Sequence, residues 1–157
     1  DFVYQGEGKT TSSSRYSDGY TVLKEQEIAE GTCPPVEARI PTAYITETRL
    51  RIDVYRRLAM ADSVAALQEI RDELEDRFGR RPIEVRALIA LTEIRCLAEQ
   101  KGILSVETEG NRLKSRRASG KPDDYVMLGS RFPRLTACDP LLRLDEITVF
   151  LRNLPKK

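Results

Sequence analysis

Histidine and tryptophan are absent from this chain of 157 residues. Without histidine, the commonest general base and the commonest zinc ligand are both missing. Cysteine occurs three times, at Cys33, Cys96 and Cys138, widely separated and with no CxxC pair. That spacing argues against a disulfide scaffold or a zinc ribbon and makes a reducing, cytoplasmic setting the expected one. No apolar run approaches the roughly 20 residues a membrane helix needs, and no secretory signal is visible. Net charge is only +1, so no whole-molecule field points to nucleic acid or membrane. What is present is 32% charged and 40% hydrophobic residues, the balance of a soluble, helix-rich domain with a real core. The first residue is Asp1 rather than Met, and the expectation is a piece of a longer polypeptide.

The most informative stretch is SVAALQEIRDELEDRFGRRP, Ser63–Pro82. Leu67, Ile70, Leu74 and Phe78 recur at helical spacing and predict a buried face. Glu69, Asp72, Glu73 and Asp76 recur on nearly the opposite face. Ser63 is placed to cap the helix, Gly79 to end it, and Pro82 to prevent its continuation. Carboxylates do not leave water without partners. The acidic stripe is therefore either a solvated surface or a docking surface for something basic. Catalysis is a poor fit, because paired catalytic carboxylates sit in clefts that perturb them.

Around this helix the chain reads as follows. Residues 1–4 suggest a short strand, and residues 5–19 a polar Gly/Ser-rich loop. The GEGKTT within that loop is an incomplete phosphate-binding motif, since Val3 stands where its first glycine belongs. Residues 20–31 read as a short amphipathic helix or linker, and 36–40 as a strand closed by Pro41. A first long helix is expected from about Glu47 to Ala61, capped by Thr46, with Leu50, Val54, Leu58 and Ala61 inward and Arg49, Arg56 and Arg57 outward. A third, from about Ile83 to Lys101, is apolar on most faces and is expected to be central. After Gly102 the period changes from helical to alternating. Residues 103–109 and 112–118 form a hairpin around Gly110-Asn111, 125–128 suggest a third strand, and Asp145 begins a terminal helix over 146–154. The fold class is α+β: a three-helix cluster, a small antiparallel sheet of hairpin strands and a C-terminal helix. Cations at Arg112, Lys114, Arg116, Arg117 and Lys121 make the hairpin basic. They are either a solvated, edge-protecting face or a nucleic-acid contact, and no aromatic is interleaved with them in sequence.

The run ARIPTAYITETRLRIDVYRRLAMADSVAALQEIRDELEDRFGRRP, followed by a buried helix ending in KGI, resembles the C-terminal domain of bacterial transcription-repair coupling factor. Tyr44-Ile45, Leu50-Arg51, Tyr55-Arg56-Arg57, Glu73 to Gly79 and Pro82 carry the likeness. It covers about residues 36–104, weakens over the hairpin and is absent across 5–35. The resemblance implies a non-catalytic regulatory domain over 36–157, preceded by a strand and a linker or insert over 1–35. It implies a parent that is an ATP-dependent DNA translocase, with ATP and Mg in motor domains elsewhere and no cofactor or metal in this piece. The parent would remove stalled RNA polymerase from DNA and recruit nucleotide excision repair through its damage-recognition ATPase. Within the family this domain packs on the N-terminal domain of the same polypeptide and masks the recruiting surface. The acidic contact pair falls on Glu73 and Asp76; Asp72 and Glu69 join them here because they share the face. The alternative reading is a nucleic-acid accessory domain using the 112–121 hairpin.

Overall fold

A computed structural model describes the backbone of residues 2–5 together with residues 36–119, 121 and 123–155. The incomplete phosphate loop, the 20–31 segment and Cys33 lie outside the described residues. Among the described residues the elements run β1 (Phe2–Gln5), α1 (Thr48–Met60), α2 (Val64–Phe78), α3 (Ile83–Gln100), β2 (Ile103–Glu109), β3 (Arg112–Arg117) and α4 (Pro140–Asn153). The architecture is α+β, as expected.

The central element is α3, buried on most faces as its composition predicts. Its first half joins α1 and α2 in one core, where Leu58, Leu67, Leu74, Val85 and Leu88 are almost wholly buried. Its second half joins the sheet and α4 in another, built on Ile94, Val106, Leu113, Ile147 and Leu151. The sheet is antiparallel in the order β1-β2-β3. Gly110 takes φ +58° at the hairpin turn, a left-handed conformation that suits glycine. At the seam between the cores, Glu93 of α3 is only 5% exposed. It accepts from Arg71 of α2 at 3.2 Å and from Arg152 of α4, so one carboxylate ties three helices.

Four local expectations are corrected. Residues 36–40 form no strand: among the described residues no strand lies beside the segment, and the Ile40 N–H donates to the Tyr55 hydroxyl at 2.7 Å. The residue capping α1 is Glu47, not Thr46, and its side chain makes no capping bond. Residues 125–128 contribute isolated bridges at Tyr125 and Leu128 rather than a continuous strand. The last helix starts earlier than expected, because Asp139 accepts from the Leu142 N–H and Pro140 occupies its first turn, a position where its missing N–H is no loss; Asp145 is mid-helix and exposed. Cys96 of α3 is a free, buried thiol. Among the described residues no helix is long and apolar enough to cross a membrane.

Candidate interaction face on the second helix

Three local devices fix α2. The Ser63 hydroxyl accepts from the Ala66 N–H at 3.2 Å, and Gly79 ends the helix at φ +78° with its N–H on the Glu75 carbonyl. Tyr44 reaches the other end: its hydroxyl lies 2.9 Å from the Leu74 carbonyl and 3.0 Å from that of Gly79, and its ring packs on Phe78 at 5.8 Å. Helix C-termini leave carbonyls without partners, and Tyr44 meets that need at Gly79. Arg51 does similar work before α1, donating to the Ile45 and Thr46 carbonyls at 2.7 and 2.8 Å. Arg95 and Cys96 of α3 both donate to the Ala61 carbonyl just after α1. The face carrying Leu67, Ile70 and Leu74 is buried, and the register of the opposite face is thereby set.

On that opposite face the four predicted carboxylates do not share one environment. Glu69, Asp72 and Asp76 are exposed, whereas Glu73 is half-buried. Glu73 accepts from Arg57 of α1 at 2.6 Å and from Arg77 at 2.8 Å. The Arg57 hydrogen bond, then that of Arg77, holds its carboxyl down to about 2. Glu73 is thus neutralised inside the domain rather than left open, which departs from the uniform stripe the sequence implies. It turns part of the outward basic face of α1 toward α2. Asp72 accepts from Gln68, four residues before it, at 2.7 Å. Glu69 and Asp76 have no ion-pair partner among the described residues. The sheet packs on α3 and does not cover this face. Among the described residues no group of three histidine, cysteine or acidic side chains is placed to hold a metal.

The family model for the TRCF domain matches residues 35–128. The chain belongs to the TRCF domain family. This TRCF domain is 34% identical over 101 residues to the transcription-repair-coupling factor of Haemophilus influenzae, an alignment covering 62% of the chain and 9% of that protein. It is 38% identical over 105 residues to the factor of Mycobacterium bovis, covering 64% of the chain and 8% of that protein. The chain therefore spans under a tenth of the length of these curated relatives. Its fold is similar to a crystal structure of the C-terminal domain of transcription-repair coupling factor, with TM-score 0.52, 16% identity, and coverage of 76% of this chain and 91% of that one. Several residues that carry the resemblance at sequence level turn out to be tethers: Tyr44, Tyr55 and Arg57 make long-range bonds that hold α1, α2 and their connections together, and Arg51 ties down the turn just before α1.

Proposed function

We propose that residues 36–157 form a non-catalytic regulatory domain of a transcription-repair coupling factor, and that the outer face of α2 docks on a basic surface of the N-terminal domain of the same polypeptide. Docked, the domain masks the surface that recruits the excision-repair damage-recognition ATPase; released, it exposes it. The reading needs no cofactor here, ATP and Mg acting in motor domains elsewhere in the parent, where RNA polymerase and DNA are handled.

The observation that supports this reading most is the pair Glu69 and Asp76, two exposed carboxylates without a cation of their own chain among the described residues, on a helix whose register is fixed by its buried face. Charge-assisted pairs to such a face set register and orientation as well as affinity. Asp72 adds negative charge between them. Glu73 belongs to the same patch but acts through position, presenting Arg77 and Arg57 in a fixed arrangement beside the free acids. For the docking to serve as a switch, its free energy is limited to a few kcal/mol, on the order of what a coupled equilibrium can reverse.

The test is charge reversal in the full-length polypeptide. Glu69→Lys with Asp76→Lys leaves the core and the internal ion pairs intact. Recruitment of the damage-recognition ATPase in a pull-down is expected to rise. Unchanged recruitment by a variant with an unaltered melting curve contradicts the proposal. Glu73→Lys is the wrong probe, because it sets a third cation between Arg57 and Arg77 and confounds docking with stability.

A further inference from the structure

The sheet carries a second charged surface, of opposite sign. Alternation along β3 turns Leu113 and Ser115 into the core and Arg112, Lys114 and Arg116 to the other face. In sequence no aromatic stands among these cations, but the fold supplies them. The segment after the hairpin returns along the free edge of β3, setting Tyr125 opposite Arg116 and Arg134 opposite Arg112. Residues directly opposite across strands share a face. Phe132 comes with them: the Lys114 ammonium sits 5.7 Å from its ring centroid, and Tyr125 packs edge-on against it, also at 5.7 Å.

Some of these cations are already engaged, Lys114 by Glu109 at 2.7 Å and Arg117 by Asp124 at 3.7 Å. Arg112, Arg116 and Arg134 have no carboxylate partner within salt-bridge distance among the described residues. Arg112 and Arg134 also stand directly across from one another, and like charges so placed destabilise a strand pair. Glu109, opposite Arg112 on β2, offsets part of that cost, and an anion between the two arginines would offset more of it. Outward residues of an extended strand recur about every 7 Å, close to the repeat of successive phosphates along a nucleic-acid strand. Glu107 and Glu109 of β2, paired in register with Lys114 and Arg112, would repel phosphate and so confine it to β3 and its outer edge.

We propose that this face binds a single strand of nucleic acid, with Arg112, Arg116 and Arg134 contacting phosphates and Phe132 and Tyr125 offering ring surface to bases. Phosphates account for the arginines, and unstacked bases account for the rings. A duplex presents no base faces to stack on, and an acidic peptide has no use for the aromatic pair.

Fluorescence anisotropy of the chain with a short labelled oligothymidylate tests this. Binding is expected at low salt and should weaken steeply as salt rises. Arg112→Gln with Arg134→Gln should lower affinity about tenfold and flatten the salt slope by roughly 0.7 for each phosphate no longer neutralised. Phe132→Leu should weaken binding several-fold while leaving that slope unchanged. The melting temperature of the arginine variant should hold or rise slightly, because a like-charge pair is relieved; a fall would make the guanidinium groups structural and overturn the site. Absence of binding at low salt overturns the proposal. So does equal affinity for a duplex of the same length, or tighter binding of polyglutamate than of the oligonucleotide.

Discussion

Two halves of this domain are assembled on one helix by different means. Around the first half of α3, α1 and α2 are fixed by leucine packing and by side chains that reach distant backbone carbonyls, as Tyr44 and Arg95 do. Around the second half, backbone pairing does the corresponding work. β1, β2 and the 124–135 segment share the hydrogen bonding, while Arg143 and Lys101 fasten α4 to the hairpin turn and to the end of α3. Among the described residues Glu69 and Asp76 in the helical half have no ion-pair partner, nor do Arg49 and Arg56 of α1, and in the sheet half Arg112, Arg116 and Arg134 have none. A net charge of +1 therefore hides local groups of unpaired charge of both signs.

The two halves differ most testably in their cores. Leu58 and Ile94 are both fully buried, one in each cluster. Replacing either by Ala is expected to cost about 2–5 kcal/mol. If α3 couples the halves, each variant melts in one transition; a calorimetric trace with two transitions in either variant would show that the halves unfold separately. Next comes Glu93→Ala. It removes the carboxylate between Arg71 and Arg152, and a loss of roughly 1–3 kcal/mol in urea denaturation is expected, below the value for a fully buried pair because both arginines reach solvent.

A smaller effect separates Glu73 from its neighbours. Its folded carboxyl is held to about 2, from 4.5 for the free group. A depressed value means that the stabilisation is present above the unfolded value and is lost as pH falls from about 4.5 toward 2. Glu73→Gln should cost about 1 kcal/mol or less at neutral pH, since the pair is a third exposed. The difference between variant and parent should shrink through that acid window, and a difference that stays constant from neutral pH to pH 2 contradicts the ion-pair account. Smallest of all, Glu69→Lys, Asp76→Lys and Arg112→Gln should each stay within about 0.5 kcal/mol of the parent in thermal denaturation. A larger loss at any of them would mean that the residue supports the fold instead of facing a partner.

Much of the helical half was legible because its determinants are local. Ser63 and Gly79 bracket α2 with ordinary cap chemistry, and the spacing of Leu67, Ile70 and Leu74 names the buried face. The environment of Glu73 was not legible, because Arg57 lies sixteen residues away and only helix packing brings it close. In the sheet half the β2–β3 hairpin follows from alternation and Gly110. The company of its arginines does not, since Tyr125, Phe132 and Arg134 arrive along a segment that lacks strand periodicity. Residues 36–40 show the reverse error: an alternating pattern predicts a strand, but a strand also needs a neighbour, and none stands there among the described residues. Asp139-Pro140 carried a legible start signal for α4, masked by the stronger-looking Asp145.

The proposed regulation requires that Glu69 and Asp76 of α2, without an ion-pair partner among the described residues, meet cations outside the domain. Calorimetric titration of the chain into the N-terminal domain of the same polypeptide measures that directly. Binding that weakens with salt, falls at least tenfold with Asp76→Lys and is unmoved by Arg112→Gln is the predicted result. Affinity that is indifferent to Asp76→Lys, in a variant that melts like the parent, contradicts it.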